Sequence, residues 1–76
     1  MEVDYSAMYS NFIGKQIKVQ ICDGSEYKGT SIAIDVYLNI SLESAAYYNT
    51  ANDAVVYYSS LFIKGSYIDH IALENQ

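Results

Sequence analysis

From Gln16 onward apolar residues recur at every second position, and one such run, Glu26 to Asn39, is too long to lie flat in a molecule of 76 residues. An alternation of period two sends successive side chains to opposite faces of a strand, which places Ile32, Ile34, Val36 and Leu38 on one face. A run of this length has to bend. Gly29 is the expected bend point, because a residue without Cβ lets the backbone curl sharply. Short strands built around one bent member predict a small, highly curved barrel.

The remaining runs complete that barrel. Ile17, Val19 and Ile21 alternate with Lys18 and Gln20 in a half-buried first strand, and Asp23-Gly24 signals a tight turn at Gly24 into the second. A third strand passes through Ile40 and Leu42 towards Ala46. The polar stretch Tyr48 to Asp53 reads as an exposed loop, and Ala54 to Ile63 forms a fourth strand. Lys64-Gly65-Ser66 turns into a fifth strand, Tyr67 to Leu73, and Glu74-Asn75-Gln76 reads as a frayed end. Ahead of the strands, Asp4 is an expected N-cap, and Tyr5, Met8, Tyr9 and Phe12 form a helical stripe that Gly14 terminates. The expectation is one all-β domain over residues 1–76, with a helix over about 4–13 and five bent antiparallel strands within 16–73. The fourth and fifth strands are the most apolar. At the edges of an open barrel they would demand pairing, and addition to a neighbouring copy would generate a ring.

Composition narrows the function. The chain carries nine Tyr, two Phe and no Trp, so many of its rings need a wet or hydrogen-bonded edge. Its one cysteine, Cys22, excludes an internal disulfide and a thiol-based metal site, and its place in an apolar alternation suggests a buried strand residue. His70 has no clustered ligands around it in sequence, so no metal or cofactor is expected. No nucleophile–base pair or phosphate-cradling Gly loop is present, and no catalytic residue is expected. The absence of a leader or long apolar run suggests a soluble, intracellular protein with no membrane partner. The net charge is −5, and the four basic residues are all Lys. That sign opposes binding nucleic acid by this chain alone, so a nucleic-acid role requires partners that bring positive charge.

One constellation nevertheless has the chemistry for a single-stranded base. Asp35-Val36-Tyr37-Leu38-Asn39 is answered by Ile63-Lys64-Gly65. A ring such as Tyr37 stacks on a base, a carboxamide such as Asn39 reads its edge, and a cation such as Lys64 covers the other face. Tyr47-Tyr48 and Tyr57-Tyr58 also offer rings, but strand faces at a subunit interface are their expected use. Asp23, Asp53 and Asp69 read as turn or surface charges.

At this point the chain resembles the Sm and Sm-like (LSm) family. The first family motif is matched by Ile17-x-Val19-x-Ile21, Asp23-Gly24, Tyr27-x-Gly29 and Ile34-Asp35-x-Tyr37-Leu38-Asn39-Ile40-x-Leu42. The second is matched by Leu61-Phe62-Ile63-Lys64-Gly65 with Ile68 and Ile71. Within the family, Tyr27-Lys28-Gly29 and the run from Asp35 to Leu42 are most similar to the sixth Like-Sm branch and the Sm F type. The resemblance implies a helix-capped Sm-like barrel, of the small SH3-like or OB-like kind. It also implies a heptameric ring of different Sm-like paralogues, with a homo-oligomeric ring possible for the isolated chain. The implied ligand is U-rich single-stranded RNA, either the oligouridylate tract of a spliceosomal snRNA or an mRNA 3′ end, and not DNA. The implied work is pre-mRNA splicing or mRNA decay, in nucleus and cytoplasm. Residue by residue, Tyr37 would stack, Asn39 would bond the base edge, Lys64 would stand where Arg is usual, and Gly65 would let the turn approach the RNA. Asp35 would orient Asn39. Val36 departs from the family's usual Gly or small polar residue, and Ser31 occupies a usually aliphatic position. The alternative reading is a ring-closing scaffold that recruits proteins and binds little RNA.

Overall fold

The computed structural model describes residues 3–49, 51 and 53–74. Asp4 caps α1 (Tyr5–Met8), its Oδ1 accepting the N–H groups of Ser6 at 3.0 Å and Ala7 at 3.2 Å. The helix does not extend to residue 13 as expected. Tyr9 leaves helical geometry at φ −111° and ψ 23°, and Ser10–Phe12 form a 3-10 turn. Ser10 and Asn11, residue types with little preference for a helix interior, stand at the break. Tyr9 and Phe12 still pack against the core, whereas Met8 is exposed, so the stripe is only partly used. Gly14 then turns the chain with φ +81° and donates its N–H to Ser31 O at 2.7 Å.

Five strands follow: β1 (Gln16–Ile21), β2 (Glu26–Ile34), β3 (Ile40–Asn49), β4 (Ala54–Ile63) and β5 (Ile68–Leu73). They form one antiparallel sheet in the order β4-β3-β2-β1-β5. The Asp23–Gly24 turn joins β1 to β2. Asp23 Oδ1 accepts the Ser25 N–H at 2.9 Å and also the Ser25 hydroxyl, which holds its carboxyl below the ordinary carboxylate range. The core is Ile17, Val19, Ile34, Ile40, Leu42, Ala45, Ile63 and Ile71.

The β1–β5 pairing slips between Gln20 and Ile21, and the β2–β3 pairing slips twice. Between Lys28 and Thr30 the pairing of β2 with β3 shifts, and Ser44 opposite takes φ +51°. Gly29 sits at this bulge, where an added Cβ would lie 3.1 Å from Ala45 Cα and from Glu43 O. The second slip lies between Ser31 and Ala33 and leaves Ile32 as the extra residue. One inserted residue reverses the facing of everything beyond it. Ser31 and Ile34 therefore point inward, while Ile32 is exposed, correcting the expectation of Ile32, Ile34, Val36 and Leu38 on one face. β2 also stops at Ile34 rather than continuing to Asn39, which leaves Asp35–Asn39 as a turn.

Three further expectations change. Cys22 is exposed beyond the end of β1, and its Sγ donates to Tyr67 O at 3.2 Å. β3 runs to Asn49, pairing Tyr48 with Val55 and Asn49 with Ala54, so Tyr48 and Asn49 belong to a strand and not to the loop. Of that loop only Ala51 and Asp53 are described; Thr50 and Asn52 lie outside the described residues, as do Asn75 and Gln76 of the expected frayed end. Glu74 itself donates its N–H to Gln16 O at 2.8 Å. β5 begins at Ile68, because Gly65–Tyr67 form a 3-10 turn.

β4 and β5 are the outermost strands. Val55, Val56, Tyr57, Tyr58 and Phe62 of β4 are all exposed, an apolar edge of the kind that recruits another strand. Tyr47 instead packs its ring 4.8 Å from that of Tyr27, and Tyr48 lies beneath the Lys28 ammonium.

Candidate nucleic-acid interface

The turn after β2 is organised by one carboxylate. Asp35 Oδ1 accepts the backbone N–H groups of Tyr37 and Asn39, both at 2.9 Å, and Oδ2 accepts Asn39 Nδ2 at 2.8 Å. Asp35 N–H bonds back to Asn39 O at 3.1 Å, which closes the turn. An aspartate commonly accepts from the backbone two residues on; here the grip reaches four residues on as well. Donation by the Asn39 amide, reinforced by the Asn39 and Tyr37 N–H groups, holds the Asp35 carboxyl below the ordinary carboxylate range. The tight closure puts Leu38 at φ +68°, an uncommon region for a bulky side chain. Its side chain nonetheless packs against the core.

A second turn meets the first. Gly65 donates its N–H to Asn39 Oδ1 at 2.7 Å, across 26 residues of chain. Asn39 is thereby fixed at both ends. Its oxygen has to face the Gly65 donor and its nitrogen has to face the Asp35 acceptor, so the amide has only one orientation. One N–H and one oxygen lone pair remain for a ligand. Gly65 also answers to a steric constraint within the chain. A Cβ there would fall well inside contact distance of Tyr37 O, and 2.9 and 3.0 Å from the carbonyl carbon and oxygen of Leu38.

The residues singled out in sequence thus divide into two sets. Asp35, Asn39 and Gly65 form one hydrogen-bonded unit. Tyr37 is 76% exposed, and Lys64 is exposed just before Gly65. Sequence reasoning missed the engagement of the Asn39 oxygen by Gly65, the left-handed Leu38 and a bond from Tyr5 N–H to Val36 O at 3.2 Å. Only the Asp-x-x-x-Asn spacing signalled any of this. His70 bonds Asp69 through Nδ1 at 2.8 Å on the surface, and no metal-binding cluster occurs among the described residues.

The LSM domain model matches residues 7–73. The chain belongs to the LSM-domain family. The U6 snRNA-associated Sm-like protein LSm6 of Eremothecium gossypii is 34% identical over 70 residues, covering 88% of this chain and 82% of that protein. This LSM domain also matches a solved heptameric archaeal Sm protein with a TM-score of 0.79 and 25% identity, over 91% of this chain and 98% of the other. A Pyrococcus abyssii Sm protein solved in complex with a uridine heptamer has a TM-score of 0.80 at 22% identity, over 90% of this chain and 94% of the other, a likeness of fold. The family expected from the two motifs and the short helix with five antiparallel strands both hold for this LSM domain.

Proposed function

We propose that this LSM-domain chain is a non-catalytic subunit of a ring that binds uridine-rich single-stranded RNA and contributes one base pocket. The observation that carries the reading is the Asn39 amide, locked between Asp35 and Gly65 beside the exposed ring of Tyr37. A locked amide presents its donor and acceptor in fixed order. Uracil offers N3–H to the Asn39 oxygen and a carbonyl oxygen to Nδ2. Cytosine presented the same way reverses that order, and turning the amide to suit it would break both internal bonds. The pocket is also preorganised, so no side-chain entropy is lost at Asn39 on binding.

Stacking on Tyr37 adds about 1–3 kcal/mol per base with little dependence on base identity. Lys64, exposed beside Gly65, supplies charge without the planar face of an arginine. Selectivity therefore sits on Asn39, and affinity on Tyr37 and Lys64. The similarity to a U6 snRNA-associated protein supports a place in pre-mRNA splicing, with mRNA decay as the other work of the family, in nucleus and cytoplasm. The similarity to a heptameric protein and the exposed β4 edge support a ring. At −5 per copy, seven identical subunits would repel RNA over long range, so the cellular ring is a hetero-heptamer with basic Sm-like paralogues.

That same charge favours the second reading, a ring-closing scaffold that binds little RNA. Oligo-U and oligo-A binding by the reconstituted ring separates the two. The pocket reading expects a preference for oligo-U that Asn39→Ala reduces and an affinity that Tyr37→Ala lowers. If neither substitution weakens oligo-U binding, the scaffold reading stands.

A further inference from the structure

The turn carrying Tyr37 and Asn39 is held from three sides. Asp35 grips it from within, and Gly65 grips it from across. The third hold comes from the N-terminal segment, where Tyr5 donates its N–H to Val36 O, the carbonyl immediately before Tyr37. Tyr5 is the first residue of α1, and its N–H is one of the donors that a helix leaves without an internal partner. Asp4 satisfies the next two, at Ser6 and Ala7, and its Oδ1 also accepts the Ser6 hydroxyl. With four residues, α1 is far shorter than a helix that is stable alone in water. It persists through this cap, through Tyr5 stacked on Tyr9 and through the packing of Tyr9 and Phe12. The cap is the hydrogen-bonded part of that hold, and it lies next to the Tyr5 N–H.

We infer that Asp4 is a positioning residue for the RNA pocket, setting the Tyr37 turn through the Tyr5 N–H bond to Val36. The inference rests on the reading of Tyr37 as a stacking platform. Val3, Asp4, Tyr5, Val36 and Tyr37 line one groove, so the Asp4 carboxylate shares a surface with the ring it positions. This placement supplies a sign. A bare negative charge beside an RNA path opposes binding, so removing it tightens the complex. A cap that holds the turn favours binding, so removing it weakens the complex. Asn retains the capping oxygen and discards the charge, which separates the two effects.

The test uses the assembled ring, a short oligo-U and the variants Asp4→Ala, Asp4→Asn and Tyr37→Ala. Amide hydrogen exchange at Tyr37, Leu38 and Asn39 is measured in parallel without RNA. Asp4→Ala is expected to weaken oligo-U binding roughly fivefold, the change that the typical loss of an N-cap converts to. Asp4→Asn is expected to bind at least as tightly as the parent. The turn amides should exchange faster in Asp4→Ala, with those of β1 unchanged. Equal or tighter binding by Asp4→Ala, an Asp4→Asn variant as weak as Asp4→Ala, or unaltered turn exchange overturns the inference. Unchanged oligo-U binding by Tyr37→Ala would instead remove the pocket reading. The exchange measurement, which needs no RNA, still decides whether Asp4 holds the turn.

Discussion

Replacing Gly65 by alanine tests whether the two turns of the pocket are one unit. Gly65 has no left-handed φ, so alanine fits its backbone conformation and the whole cost is steric. The added Cβ meets the carbonyl groups of Tyr37 and Leu38, which are backbone atoms of a turn already closed by Asp35. Ordinary contact requires the turns to separate by several tenths of an ångström or more. The bond from Gly65 N–H to Asn39 Oδ1, now 2.7 Å, is the first to stretch. Loss of one partly buried hydrogen bond costs about 0.5–1.5 kcal/mol, and forcing atoms into a packed site costs about 1–3 kcal/mol. Together they predict destabilisation of about 1.5–4.5 kcal/mol. At roughly 4–8 °C per kcal/mol for a domain of this size, the unfolding midpoint should fall by at least about 6 °C. Thermal unfolding at matched protein concentration measures this, because assembly makes the midpoint concentration-dependent. Oligo-U binding at a temperature where the variant remains folded should weaken as well, since Asn39 loses its lock. Were Gly65 needed only to admit RNA, Gly65→Ala would lose binding and keep its midpoint. That outcome refutes the reasoning.

The other expectations concern the core, acid and assembly. Ser31 is fully buried and its hydroxyl has no hydrogen-bond partner among the described residues, so Ser31→Ala should stabilise the fold by about 1 kcal/mol; a loss of similar size in thermal unfolding would reveal a partner. The carboxyls of Asp4, Asp23 and Asp35 are all held below their ordinary value of 3.8. Their stabilisation is therefore complete above pH 3.8 and is lost as pH falls through the lowered values. Denaturant midpoints followed downward from pH 5 should show this, with a shallower decline in Asp35→Asn; identical profiles would remove Asp35 from the account. The apolar β4 edge predicts that the purified chain forms higher oligomers at micromolar concentration, and a stable monomer in native mass spectrometry would count against it.

Much of this fold is legible in the alternation of apolar residues, because a strand with one buried face announces itself by period. Ile17 and Val19 are buried as their spacing requires, and Ile40 and Leu42 likewise. The alternation fails at Ile32, where one inserted residue turns an inward position outward and brings Ser31 inside. No local residue preference marks that bulge, which is set by pairing with β3. Cys22 escaped for a simpler reason: alternation does not say where a strand stops, and β1 ends one residue earlier. In the candidate site, Asp35 and Asn39 stand out by spacing four residues apart. The contact of Asn39 with Gly65 joins positions 26 residues apart and exists only once β3 and β4 have paired. The roles of Gly65 as a packing residue and of Tyr5 as a tether were illegible for the same reason.

A base held by the proposed pocket lies on Tyr37 and reads Asn39. Photo-crosslinking of a 4-thiouridine oligonucleotide to the assembled ring, followed by peptide mapping, tests this. Crosslinks on this chain should centre on Tyr37 and on the turn at Lys64–Gly65 and should be reduced by Asn39→Ala. Crosslinks centred on Tyr57 and Tyr58 of β4, with the Tyr37 turn unlabelled, would contradict it.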